Sequence, residues 1–125
     1  MQRSFRSVET EYLGRVLRAT VESVGNDICI TVTGGTGHIG SVSIALPRPS
    51  LNKPGENSAT VSTFNVTGHL DNIIGDAFAK RMASKLNCRV AVICGIHFDG
   101  FNETAPAEIG EAANRLLNDI EGMFT

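Results

Sequence analysis

Three histidines, His38, His69 and His97, are the main candidates for chemistry in this chain. His38 sits in Thr33-Gly34-Gly35-Thr36-Gly37-His38-Ile39-Gly40, where four of the last seven residues are glycine. His69 lies in Gly68-His69-Leu70-Asp71-Asn72, and His97 in Gly95-Ile96-His97-Phe98-Asp99. Imidazoles with carboxylates nearby suit proton exchange, metal ligation or contact with an anion. Such glycine density has two physical sources. One is a tight turn or bulge between strands. The other is a backbone that approaches a ligand closely and offers N–H groups to a phosphate. Both readings stay open at this level.

Several familiar site types are excluded. Gly35-Thr36-Gly37-His38-Ile39-Gly40 has the letters of a dinucleotide fingerprint, but that fingerprint must open a helix. Here Ser41 to Leu46 alternates like a strand, and no Lys-Ser or Lys-Thr follows to make a P-loop. There is no G-x-S-x-G nucleophile elbow. A metal site built from His38, His69, His97, Asp71 and Asp99 has no recognised ligand spacing. Cys29, Cys88 and Cys94 form no C-x-x-C pair and read as reduced, mostly buried thiols. No catalytic residue is assigned. His69 and Asp71 stand at a helix start, where unpaired N–H groups favour an anion, although Asp71 also stabilises a first turn by itself. Arg18, Arg48 and Arg81 can serve a phosphate or simply sit in solvent.

The elements that must position these residues follow from periodicity. Residues 1–13 give a weak signal, an edge strand or a loose arm. Leu17, Ala19 and Val21 alternate with polar neighbours, Gly25-Asn26 suits a tight hairpin, and Ile28, Ile30 and Val32 share one face of the return strand. After the glycine run, Val42, Ile44 and Leu46 alternate with Ser41, Ser43 and Ala45, and Pro47 and Pro49 end that strand. Leu51 to Ser58 is a loop, and Ala59 to Val66 is β-rich. Leu70, Ile73, Ile74, Ala77, Phe78, Met82 and Leu86 recur at helical spacing, with Thr67 or Gly68 as start cap and Asn87 as end cap. Cys88 to Ile96 is an apolar strand of the kind buried centrally in a sheet. Thr104 and Pro106 open a last helix that carries Ile109, Ala113, Leu116, Leu117 and Ile120. The expectation is α+β: a mixed, largely antiparallel sheet of about five strands with two helices on one face.

Composition narrows the partners. A chain of 125 residues with 42% hydrophobic and 19% charged residues is expected to form one globular domain, 1–125. With net charge −2 and no basic cluster longer than Lys80-Arg81, a nucleic-acid surface is disfavoured. Trp is absent and Tyr occurs once, so base-stacking platforms are scarce. The longest apolar runs are too short to span a membrane, and Met1 to Arg6 lacks the apolar stretch of a signal peptide. Cytoplasmic location is the default expectation. A homodimer is expected for so small a domain with a sheet edge to cover.

Thr33-Gly34-Gly35, His38-Ile39-Gly40-Ser41-Val42, Gly68-His69 and Gly95-Ile96-His97-Phe98-Asp99, in that order, resemble the LpdD-like proteins. These are small proteins encoded with UbiD-type decarboxylases, gallate decarboxylase among them, and are described as chaperones for prenylated flavin mononucleotide. The likeness runs from the first hairpin to the start of the last helix. Only Thr36-Gly37 separates Gly35 from His38, shorter than the stretch associated with the family. The resemblance implies a non-catalytic accessory protein that binds prenylated FMN, or FMN, and protects it or delivers it to a UbiD-type decarboxylase. It places Gly34, Gly35, Gly37, His38 and Gly40 in a ligand loop, His69 and Asp71 beside it at the helix start, and His97 and Asp99 at the strand end. The alternatives are a small metal-dependent enzyme using the His/Asp cluster, or an assembly module in which the histidines are structural.

Overall fold

A computed structural model describes residues 5–12, 14–66, 70–99 and 105–124. Six strands form one sheet: β1 (Phe5–Tyr12), β2 (Arg15–Val24), β3 (Asp27–Gly35), β4 (Ser41–Pro49), β5 (Asn57–Asn65) and β6 (Val90–His97). Helices α1 (Leu70–Leu86) and α2 (Ala105–Gly122) flank β6 in the chain. The spatial order is β1-β2-β3-β6-β4-β5. The weak N-terminal signal thus resolves into a sixth, edge strand, one more than the pattern implied.

The β2–β3 hairpin closes at Gly25-Asn26, with Val24 opposite Asp27. Of that pair only Gly25 takes a positive φ, 61°, as a turn with glycine first requires. β6 then inserts between β3 and β4, parallel to β3 and antiparallel to β4. β5 and β6, joined through α1, run in the same direction but are not neighbours, because β4 lies between them. Asn87 ends α1 with φ 52° and donates its N–H to the Ala83 carbonyl, the left-handed cap its side chain tolerates. Thr67, Gly68 and Thr104 lie outside the described residues.

The registers place Ala19, Val32, Cys94 and Ser41 on one face of the sheet, and the same holds for the rows on either side. Both helices pack on that face, α1 over β4, β5 and β6 and α2 over β1 and β2. Ile74, Phe78 and Met82 of α1 join Ile109, Leu116 and Ile120 of α2 in one core with Leu17, Ile30 and Val92. β4 departs from a simple apolar-inward strand. Ser41, Ser43 and Ala45 are buried, whereas Val42, Ile44 and Leu46 are exposed. The cause is the closeness of α1: a Cβ on Gly75 would stand 3.2 Å from the hydroxyls of both Ser41 and Ser43, so only small side chains fit beneath the helix. The Ser43 hydroxyl donates to Asp76 at 2.7 Å, which satisfies it inside the core. No helix among the described residues is long and apolar enough to cross a membrane.

The two helices are tied by Arg81, which donates to Glu121 at 2.8 Å and also bonds Asn114 and Asn118. This hydrogen bond, with the charges of Arg81 and Lys85, holds the Glu121 carboxyl below the usual carboxylate range. Glu121→Gln should lower stability at neutral pH by no more than about 1 kcal/mol, since the pair is partly solvated. A depressed folded pKa stabilises above the unfolded carboxyl value and fades as pH falls through the folded one. Urea midpoints of parent and variant should therefore differ at pH 7 and converge in acid. Divergence in acid would contradict the assignment.

Candidate functional site

β3 and β6 are the parallel neighbours of this sheet, and their carboxyl ends, Gly35 and His97, stand side by side. From Gly35 the chain must reach β4, on the far side of β6. Residues 36–40 therefore cross over the end of β6. Gly35 turns the chain with φ 64°. Thr36 N–H donates to the His97 carbonyl at 2.9 Å, and Gly40 N–H to the Cys94 carbonyl at 2.9 Å, one bond on each side of β6. Between them the His38 backbone lies on Gly95, where a Cβ would occupy the place of the His38 carbonyl. At Gly40 a Cβ would run into the Asp71 carboxylate. The crossing thus accounts for glycine at 40 and 95 without a ligand. Gly37, by contrast, has room for a side chain, with its nearest neighbours 3.7 Å away on Thr33.

Asp71 holds the crossing in place. It lies in the first turn of α1 and is buried. Its Oδ1 accepts the Ile96 N–H at 3.0 Å. Pairing of β4 with β6 ends at Ser41 and Cys94, so the carboxylate takes over an N–H that a longer strand would bond. Its Oδ2 lies 3.3 Å from His38 Nε2. The Cys94 thiol, 3.9 Å away, also points to Oδ1. Burial first, and the Asp71 charge second, push that thiol far above its ordinary range, so it stays protonated and is a poor nucleophile.

The His38 ring has Nδ1 3.4 Å from the Thr36 carbonyl. Its centroid is 6.5 Å from that of His97, edge to face. His97 Nε2 lies 3.3 Å from Asp99 Oδ1, and both side chains are well exposed. The structure therefore brings together His38, Asp71, His97 and Asp99 with Gly34, Gly35, Gly37 and Gly40. His69 lies outside the described residues. Among those described, no group of three or more His, Cys, Asp or Glu is placed to hold a metal. Arg48 and Arg81 are engaged elsewhere, on Thr60 and on Glu121.

Beside this cluster opens a cleft of about 440 Å³, lined by Arg15, Val16, Arg18, Thr33, Gly34, Gly35 and Phe98. That volume falls in the range of about 300–1,000 Å³ typical of small-molecule sites. The Arg15 guanidinium lies 5.5 Å from the Phe98 ring centroid and donates to the Asp99 carbonyl at 3.0 Å. Arg18 pairs with Glu9 at 2.8 Å. Two guanidiniums, backbone at two glycines and an aromatic ring suit an anion attached to a planar group. Periodicity and motif spacing do not single out Arg15, yet the sequence carries a signal for it. A two-residue turn at Gly25-Asn26 sets Leu17 opposite Gly34, which brings the start of β2 beside the glycine run.

Two substitutions test this construction. Gly95→Ala should cost about 1–3 kcal/mol, the range for inserting a methyl where no space exists, because the obstacle is backbone rather than a mobile side chain. Unchanged unfolding midpoints would mean the crossing is not packed as described. Asp71→Ala should cost about 1–3 kcal/mol by orphaning the Ile96 N–H, while Asp71→Asn, which keeps an acceptor, should cost less. Amide exchange at Ile96 should accelerate in the alanine variant and serves as the local readout.

Comparison with known proteins gives this geometry its context. The family model described as "Prenylated flavin chaperone LpdD-like domain" matches residues 12–125. "Protein LpdD" of Lactiplantibacillus plantarum is 32% identical over 105 residues, covering 83% of this chain and 71% of that protein. "Serine hydroxymethyltransferase" of Prochlorococcus marinus is 35% identical over 113 residues, but the chain spans only 24% of that enzyme's length. In fold, the chain resembles a protein in a "Crystal Structure of a Novel Chaperone Complex for Yeast 20S Proteasome Assembly". That likeness has TM-score 0.62 and 12% identity, and covers 99% of this chain and 96% of the other. At that identity the likeness concerns architecture alone. The family match and the LpdD relative both take in the crossing loop, the start of α1 and the end of β6, and the chain belongs to the prenylated flavin chaperone LpdD-like family.

Proposed function

We propose that this chain binds prenylated FMN, or FMN, at the carboxyl ends of β3 and β6, and protects it or hands it to a UbiD-type decarboxylase without transforming it. The observation that carries the reading is the cleft beside the crossing loop. Ligands in sheets with parallel strands gather where the connections from adjacent carboxyl ends diverge. Here β3 leads into the crossing loop and β6 leads away towards α2. Family membership supplies the cofactor class.

In this reading the phosphate meets Arg15 and Arg18 with the backbone of Gly34, Gly35 and Gly37, and the ring system lies towards Phe98, His38 and His97. Gly40 and Asp71 position His38 rather than touch the ligand. Asp99 orients His97. The protein works in the cytoplasm as a homodimer, with the decarboxylase apoenzyme as receiver.

Anaerobic titration with reduced prenylated FMN, FMN and riboflavin tests the reading. Charge-assisted hydrogen bonds to a phosphate contribute about 1.5–3 kcal/mol each, so riboflavin should bind at least about tenfold more weakly than FMN. Arg15→Gln with Arg18→Gln should abolish that preference, and His38→Ala should weaken all three flavins. If the parent protein takes up no flavin, the function assigned here is wrong. If it binds flavin but the arginine variants keep the preference, only the phosphate's place is wrong.

A further inference from the structure

We propose that the sheet face turned away from the helices is the contact surface between two copies of this chain, packed sheet on sheet. The proposal is independent of the flavin reading and rests on the inversion of β4. Val42, Ile44 and Leu46 turn outward and are 38%, 45% and 49% exposed. Phe64 pairs with Val42 across β5 and is 73% exposed. On the other side Val42 pairs with Ile93, and Ile44 with Ala91. One apolar row, Phe64-Val42-Ile93, therefore runs across β5, β4 and β6, and a second, Ile44-Ala91, runs across β4 and β6 with Ser62 at its β5 end. With Val16 and Val24 on β2, this face carries six of the eleven exposed large hydrophobic residues found among those described. A sheet with helices on one side ordinarily turns its apolar residues towards them and polar residues to water. Here Ser41 and Ser43 point to the helix and the branched aliphatics to the outside.

The occupant follows from charge and area. Over 29–33, 91–95, 42–46 and 60–64 the outward positions hold Cys29, Thr31, Thr33, Ala91, Ile93, Thr60, Ser62, Phe64 and the β4 aliphatics, with no charged side chain, and Gly95 lies beneath the His38 backbone. A partner recognised by charge would find nothing to read there, whereas a second identical apolar face is self-complementary. The charges of this face lie around that block: Glu9, Glu11, Arg18 and Glu22 on β1 and β2, and, at the strand ends beyond Ile44, Arg48 bonded to Thr60 and the Asp27–Arg89 ion pair. A two-fold axis along the strands between β6 and β4 lays β4 on β6 and β5 on β3. It leaves the two charged β1–β2 halves at opposite ends, out of each other's reach. From strand spacing and rise, the four overlapping strands project roughly 500 Å² per copy. Two copies then reach the about 1,000 Å² that marks a specific interface. Aligned sheets pack this way about 10 Å apart.

Sedimentation equilibrium on the full chain, from micromolar to tenth-millimolar concentration, tests the proposal. The parent should have twice the single-chain mass of 13.3 kDa. Ile44→Arg should have the single mass with an unchanged far-UV spectrum, and Phe64→Ser should weaken association. Asp119→Arg, on the solvent side of α2, should behave as the parent. A parent at single-chain mass throughout overturns the proposal, as does an Ile44→Arg variant that stays double. A face that binds the decarboxylase instead would show as a single-mass parent whose complex is lost on Ile44→Arg, and that outcome also overturns it.

Discussion

The fold depends on one crossing. β3 and β4 are consecutive in the chain, yet β6 lies between them, so five residues must carry the chain from one side of a strand to the other. Such a passage leaves part of β6 without a neighbour and sets a backbone on top of another backbone. Glycine at 95 makes the second tolerable. The Asp71 carboxylate repairs the first by accepting the Ile96 N–H. A buried carboxylate is costly unless it is fully hydrogen-bonded, and Asp71 meets that condition with Ile96, His38 and the Cys94 thiol. Its place in the first turn of α1 adds the favourable end of the helix dipole. The same group therefore anchors a helix, completes a strand and fixes the histidine of the crossing loop.

From this follows the character of the site. His38 is held by one nitrogen against a buried acid, while His97 stands in solvent with Asp99. The rings are close enough to touch one ligand but belong to separate pairs. The thiol nearest to them is locked in its protonated form. The arginines enter from β2, on the other side of Gly35. The parts arranged around the strand ends are donors and surfaces, the kind of groups that hold a charged planar molecule.

Local signals in the sequence predicted the local parts of this structure. Gly25-Asn26, the spacing of Ile74, Phe78 and Met82, Asn87 at the helix end, and the apolar run through Val90 to Cys94 each act over a few residues, and each is found where periodicity places it. The rejection of a dinucleotide fingerprint also rests on a local fact, since β4 follows the glycine run. The insertion of β6 was not legible, because strand neighbours separated by fifty residues leave no mark in periodicity. The inward serines of β4 were hidden for a related reason. Alternation reveals a strand, but the choice of face was made by Gly75 on a helix that comes later in the chain. Glycine density around residue 34 to 40 was legible as a signal and ambiguous in cause. Gly40 is explained by Asp71, while Gly37 is left with space that packing does not require.

The crossing also joins the two surfaces of the molecule. Gly95 alternates with the buried Cys94 and Ile96, so the position of its missing side chain lies on the face away from the helices, and that is where the His38 backbone rests. Ile39, next along, is 57% exposed. The loop therefore stands on the same side of the sheet as Val42, Phe64 and Ile93, and Thr33 and Arg18 at the rim of the cleft share that side. A body packed against the apolar rows meets the crossing loop at its border. The crossing loop leaves Gly35 in the wall of the cleft and passes over Gly95 at the edge of the apolar face, so its backbone bonds to Cys94 and His97 hold His38 at the border of both.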